Sequence, residues 1–344
     1  MSERKGDNTN AGLLAPAEPR DSLKTWEALN LALDRALEAD DAVFVLGEDV
    51  GLYGGNYRVT QGLYAKYGEW RVRDAPISEN SFTGLGVGAA MVGARPVIEI
   101  MTVNFALLAL DALVNLAPKM RYMSGGQLSV PLVVRMPGGV AHQLAAQHSQ
   151  RLEHTLMNVP GLRLVAPATV QDHYHQLTQA IAAEDPVVVL EHELLYFRSG
   201  PFDDGAAPPP MHAAAVRREG ADFTLIAYSR MVEVALEAAE TLAGEGIDCE
   251  VVDLRSLRPI DLVALQSSVA KTHRALVVEE DCRFAGAGAE IAAALNEVAF
   301  FELEAPVARV AGADVPTPYN GDLEAASIPR AADVAEAVRE WVVS

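Results

Sequence analysis

The segment Asp74–Met91, DAPISENSFTGLGVGAAM, sets one carboxylate, Glu79, between a proline-containing turn and a run of glycine and alanine. A charge beside an apolar, small-residue helix has two readings. It is a solvent-facing acid favoured by a helix N-terminus. Alternatively, it is a buried acid whose pKa rises until it can share a proton with a ligand. Three of the 8 histidines fall in one short stretch, MPGGVAHQLAAQHSQRLEH, where His142 and His148 stand out. The glycine pair after the apolar run VPLVVRMP makes a loop, and loops at the carboxyl ends of parallel strands are where α/β sheets build sites. Taken alone, either histidine reads equally as a loop anchor or as a catalytic group. Phe105 in TVNFALL reads as core, and Asn104, Asp111 and Asn115 form one polar stripe on an apolar segment. That stripe fits a hydrogen-bonded patch at an interface.

Other motifs have plainer readings. The glycines at 84, 86 and 88 lack the spacing of a dinucleotide fingerprint and sit inside a helical stretch. AGAGAE (Ala285–Glu290) follows a strand but lacks the third glycine, so it reads as a tight turn entering a helix. There is no P-loop, no HExxH and no G-x-S-x-G elbow. The acidic cluster Glu279, Glu280, Asp281, continued by Glu290, Glu297, Glu302 and Glu304, reads as a solvated face or as a docking surface for a basic module.

Alternating elements must hold these residues in place. Trp26–Glu38 puts Leu29, Ala32, Leu33, Ala36 and Leu37 on one helical face. AVFVLGED, RPVIEIM, VPLVVRMP, LRLVAPA and PVVVLEHE are continuous apolar runs, the mark of strands covered on both faces, hence of a parallel sheet in an α/β domain. The periodicity fails between Ser199 and Gly220, a Pro- and Gly-rich stretch that reads as a linker, and then restarts with FTLIAY, CEVVDL and RALVVEE. The expected organisation is an arm over 1–22, a first α/β domain over 23–198, a linker over 199–220 and a smaller α/β domain over 221–344.

The 344 residues suit two domains with real cores. The balance of 27 basic against 47 acidic residues gives a net charge of −20, which argues against phosphate-driven nucleic-acid binding and suits a basic protein partner. Val103–Ala117 is too short to span a bilayer and is expected to be a buried helix. The N-terminal stretch reads as neither a secretory signal nor a transit peptide. Cys249 and Cys282 offer no disulfide framework or CxxC spacing, and a cytoplasmic location with no membrane contact is expected.

Ten segments in order then carry a resemblance: LGEDVGLYGGNYRVTQGL (46–63), PISEN (76–80), GARPVIEIM (93–101), KMRYMSGGQ (119–127), AQHSQRLE (146–153), PGLRLVAPAT (160–169), DPVVVLEHELLY (185–196), VVDLRSLRPID (251–261), KTHRALVVEE (271–280) and PTPYNG (316–321). From about residue 23 onward the chain resembles the β subunits of the thiamine-diphosphate-dependent decarboxylating component of 2-oxo acid dehydrogenase complexes. Within that family QHSQRLE is more similar to the pyruvate enzymes than to the branched-chain ones.

The resemblance implies a transketolase-like fold, a pyrimidine-binding α/β domain with a mostly parallel sheet followed by a transketolase C-terminal α/β domain. It implies that Glu79 hydrogen-bonds the aminopyrimidine ring nitrogen of thiamine diphosphate and promotes its imino tautomer. Phe105 would pack on that ring, and His148 would stand near the reactive carbon and the incoming lipoyl arm. Main-chain groups around Leu132, Ala180, Ile181, Ala183 and Asp185 are similar to the potassium site of some relatives, although Ala183 stands where some members carry an acidic residue. The family's GDG…N motif, which holds diphosphate and magnesium, is absent, GDL at Gly321–Leu323 being the nearest match. The resemblance therefore implies an α subunit that holds magnesium, in an assembly of two α and two β. Its expected activity is decarboxylation of pyruvate and reductive acetylation of the lipoyl group of dihydrolipoyl acetyltransferase, whose lipoyl and subunit-binding domains become partners. The alternatives are a branched-chain or acetoin dehydrogenase β subunit, or a catalytically silent scaffold for an α subunit.

Overall fold

A computed structural model describes residues 21–140 and 142–342. Two sheets organise them. The larger has seven strands in the spatial order Ser256–Arg258, Arg163–Val165, Val187–His192, Val133–Gly138, Arg95–Glu99, Val43–Gly47 and Val72–Asp74. All neighbours are parallel except the first pair. Their continuous apolar runs are buried on both faces, by the helices Thr25–Ala39 and Val170–Ala182 on one side and Glu79–Met91 on the other. Each fully buried Val or Leu there contributes roughly 1.5–3 kcal/mol relative to exposure.

The smaller sheet orders Ala308–Gly312, Ala275–Cys282, Phe223–Ala227, Cys249–Asp253 and Ala215–Arg218. It is parallel apart from the last strand, which is antiparallel to its neighbour. The fold is α/β throughout, with mostly parallel sheets. The stretch expected to be a linker is not bare coil. Ser199–Pro201 pairs antiparallel with Ser22–Lys24, and Ala215–Arg218 is an edge strand of the smaller sheet. The expected N-terminal arm falls almost entirely on residues 1–20, outside the described residues. No helix among the described residues is long and apolar enough to cross a membrane.

Two local expectations change. Val103–Leu116 is not one continuous α-helix: a 3-10 stretch, Val103–Ala109, meets a π turn, Asp111–Leu116. Pro118 accounts for the second part: it has no N–H for the Val114 carbonyl, and Ala117 donates back to the Ala112 carbonyl at 2.9 Å, a wider closure. The acidic run also splits. Glu279 and Glu280 are buried, paired with Arg309 and His192, because they lie in a strand covered on both faces. They cannot form a docking face. Glu302 and Glu304 remain exposed.

Candidate active site

Four adjacent parallel strands deliver polar side chains at their carboxyl ends. Val43–Gly47 leads into Glu48, and Arg95–Glu99 into Asn104 and Phe105. Val133–Gly138 leads into the segment that carries His148, and Val187–His192 into Glu193. This is the end of a parallel sheet at which α/β proteins bind ligands.

Glu79 is the first residue of the helix Glu79–Met91 and is buried, 3 % exposed. That removes the solvent-facing reading. The helix lies close on the sheet because Gly86 has no side chain: a Cβ there would sit 2.8 Å from Ile98 Cδ1. Glu79 has a neighbour that sequence reasoning missed. Glu48 is also buried, and its Oε1 has no hydrogen-bond partner. Burial first, and then the charge of Glu79, push the Glu48 carboxyl above its ordinary range. The signal for Glu48 lay in LGED, where a charge directly ends an apolar strand.

Phe105 is half-buried against the core, and its ring meets the exposed imidazole of His148 edge-on, centroids 5.5 Å apart. Asn104 ties the two segments together, donating to Gln150 Oε1 at 2.8 Å. Of the polar stripe, only Asn104 points inward. Asn115 donates to Asp111 at 2.9 Å and accepts from Lys119 at 3.0 Å in an exposed chain. His142 is exposed in the same loop as His148, in left-handed backbone at φ 57°.

The sheet also buries charges inside strands that read as apolar. Arg135 is fully buried between Glu99 and Glu191, donating to Glu191 through Nε at 2.9 Å, while the Tyr196 hydroxyl donates to Glu191 at 2.5 Å. Removing one member would strand an unpaired charge, which makes this cluster a rigid floor beneath the site.

The expected potassium ligands do not form an open shell. The Leu132 carbonyl accepts from Val187 N–H at 2.9 Å and that of Ala180 from Ala183 N–H at 3.1 Å. Those of Ile181 and Ala183 accept from Arg95 at 3.1 and 3.2 Å, and the Asp185 carboxylate is shared by Arg121 and Arg163. Arg95, Arg121 and Arg163 thus bring guanidinium charge to this cluster, which disfavours a further monovalent cation beside them. Among the described residues no group of three His, Cys, Asp or Glu is placed to hold a metal ion. A groove of 1280 Å³ lined by Arg121, His154, Arg258 and Glu290, among others, includes none of Glu79, Phe105 or His148.

The chain matches the transketolase pyrimidine-binding domain over residues 21–198 and the transketolase C-terminal domain over residues 212–334. It is 47% identical over 319 residues to the pyruvate dehydrogenase E1 component subunit beta of Porphyra purpurea, covering 93% of this chain and 96% of that one. The Rickettsia felis protein of the same name is 46% identical, covering 91% and 96%. Among solved structures, a split-gene transketolase described as an inactive beta4 tetramer superposes with a TM-score of 0.73 at 25% identity, covering 93% of this chain and 98% of that one. The transketolase of Leishmania mexicana shares the fold, with a TM-score of 0.71 at 16% identity, covering 95% of this chain and 46% of that one. With the buried acid pair at the carboxyl ends of the sheet and both domain types present in order, the chain belongs to the family of pyruvate dehydrogenase E1 component β subunits.

Proposed function

We propose that this chain contributes the pyrimidine-binding half of a thiamine-diphosphate site, and that an α subunit supplies the diphosphate- and magnesium-holding half in an assembly of two α and two β. Its reaction is decarboxylation of pyruvate and reductive acetylation of the lipoyl group of dihydrolipoyl acetyltransferase, in the cytoplasm. The carrying observation is the buried Glu48–Glu79 pair with an orphaned acceptor. Such a pair fits a ligand that offers a basic ring nitrogen and N–H donors, as an aminopyrimidine does. Thiamine diphosphate, when bound, supplies the electron sink for loss of carbon dioxide from a 2-oxo acid.

The chain's own residues have defined tasks in this reading. Glu79 would hold or share a proton at the pyrimidine ring nitrogen, and the unpartnered Oε1 of Glu48 would accept from an N–H of the ring's substituent. Phe105 would cover the ring and exclude water from it. His148, exposed at the loop tip, would orient and exchange a proton with the incoming lipoyl group. No step passes through potassium. The subunit-binding module of the transacetylase would meet the exposed carboxylates Glu302 and Glu304, a contact that weakens as salt rises.

The reading is tested by co-expressing the chain with an α subunit and measuring turnover of pyruvate against branched-chain 2-oxo acids, with and without a lipoyl domain. The expected result is a pyruvate-selective complex, with the isolated chain inactive. Turnover by the chain alone would overturn the shared site, and preference for a branched-chain acid would move the substrate to the alternative.

A further inference from the structure

The segment that carries His148 is held by the second domain at three separated points. At its start, Val140 N–H donates to Glu280 Oε1 at 2.5 Å, and the same carboxylate meets His192 Nε2 at 2.9 Å through its other oxygen. Further along, Gln143 N–H donates to Glu324 Oε1 at 3.0 Å. Next to His148 itself, the Thr317 hydroxyl donates to the Ser149 carbonyl at 3.0 Å. Glu280, Thr317 and Glu324 all lie beyond the strand Phe223–Ala227, in sequence more than 130 residues from the loop they grip.

The loop needs such a grip. His142, Gln143 and Ala145 are non-glycine residues in left-handed backbone, at φ 57°, 58° and 63°. Each costs free energy and persists only when the surroundings over-determine it. Within the segment the backbone offers little support, chiefly His148 N–H to the Ala145 carbonyl at 3.2 Å. On the gripping side, Gly321 lies against the side-chain amide of Gln143. Asn320 caps the helix Gly321–Ala326 that presents Glu324, accepting from the N–H groups of Asp322 and Leu323.

We infer that Thr317 and Glu324 form a latch that positions His148 for acyl transfer to the lipoyl group, so that the second domain is part of the active-site machinery and not only a docking module. Glu280 anchors the hinge end, and the latch residues set the tip. Without the latch the strained turns relax and the imidazole samples many positions. Acyl transfer to an external arm suffers most, because it depends on the exposed tip, whereas Glu79 and Phe105 sit on other elements. This inference rests on the reading of His148 given above.

The test uses the assembled enzyme with its α subunit. Thr317→Val removes the hydroxyl at constant shape, Glu324→Ala removes the acceptor, and Thr317→Ser and Glu324→Gln restore each. Three readouts are taken: pyruvate decarboxylation with an artificial electron acceptor, kcat and KM for reductive acetylation of an isolated lipoyl domain, and hydrogen exchange over residues 142–150 without substrate. The expected result is about tenfold faster exchange in Thr317→Val/Glu324→Ala, the scale of two lost hydrogen bonds. Acyl-transfer kcat falls about tenfold relative to decarboxylation, with KM for the lipoyl domain held within twofold. The conservative variants restore both, and His148→Ala masks the latch effect. Equal losses in both half-reactions, unchanged loop exchange, or a Glu324→Gln variant as poor as Glu324→Ala would overturn the latch. If His148→Ala itself spares acyl transfer, the reading of His148 fails, and loop exchange alone decides whether the latch holds the segment.

Discussion

The Phe105 ring stands edge-on to the His148 imidazole, centroids 5.5 Å apart and planes at 81°. One ring belongs to a 3-10 turn after a central strand, the other to a loop after its neighbour. Their meeting joins the floor of the site to its mouth. An edge-to-face pair contributes about 0.5–1.5 kcal/mol beyond its buried area. Phe105→Leu keeps an apolar filler and loses the ring, so thiamine diphosphate affinity of the assembled enzyme should fall severalfold by calorimetric titration. His148→Ala should leave that affinity near normal and slow only acetylation of the lipoyl group. If the two variants affect cofactor binding alike, their tasks are not separate.

The guanidinium groups of Arg95, Arg121 and Arg163 make an ion-specific prediction. With four backbone carbonyls already accepting hydrogen bonds and Asp185 doubly paired, thermal unfolding should be the same in potassium and choline chloride at equal ionic strength. A potassium-specific rise of several degrees would mean that these carbonyls open to a cation.

Glu193 gives the site a pH signature. Burial pushes its carboxyl up to about 7, the Tyr57 hydrogen bond pulls it back, and the charge of Glu280 adds to the rise. A carboxyl raised in the folded state contributes stability that is complete below its unfolded pKa, near the model-peptide value of about 4.3, and is lost as pH rises through the folded value. The native protein should therefore lose up to roughly 3 kcal/mol between about pH 4.5 and 7 from this group. Glu193→Gln should flatten that slope, gaining on the parent at pH 8 and not at pH 5 in denaturant titrations. Parallel stability curves for the two proteins would exclude Glu193 as the source.

Much of this was legible in the sequence because apolar runs and small-residue helices report burial directly. The strands around Val45, Val97, Val134 and Val188 were readable as a covered parallel sheet, and Glu79 stood out against its glycines. One cause of the misses is that a charged residue buried with its partner looks like any other charge. Glu279 and Glu280 read as surface because nothing local in the chain announces Arg309 and His192 as their partners. Glu48 differs, since its Oε1 has no partner: the charge that directly ends the apolar run in LGED was its local signal. The grip of Thr317 and Glu324 on the His148 segment depends on contacts between residues far apart in sequence, which no local pattern encodes. The π turn Asp111–Leu116 was locally encoded, in Pro118, but apolar periodicity outweighed it.

The Glu48–Glu79 pair yields the sharpest separation of roles. Were Glu79 only a favourable charge at a helix N-terminus, Glu79→Gln would cost at most about 1 kcal/mol of stability and leave turnover nearly intact. Its burial beside a second acid reverses the stability sign. The raised carboxyl of Glu48 stabilises the fold only while it stays protonated, and that contribution is lost as pH rises through its folded pKa. Removing the Glu79 charge eases the ionisation of Glu48, so Glu79→Gln should hold or raise the melting temperature, with the gain growing from pH 5 to pH 8. Catalysis should move the other way. Glutamine fills the volume and can hydrogen-bond, but it cannot share a proton with a ring nitrogen, and the assembled enzyme should lose roughly two orders of magnitude in turnover or more. Glu48→Gln should show the same pH-dependent gain in stability with a smaller loss of rate. A Glu79→Gln protein that melts earlier yet turns over normally would reduce Glu79 to a helix cap and remove the acid pair from the reaction.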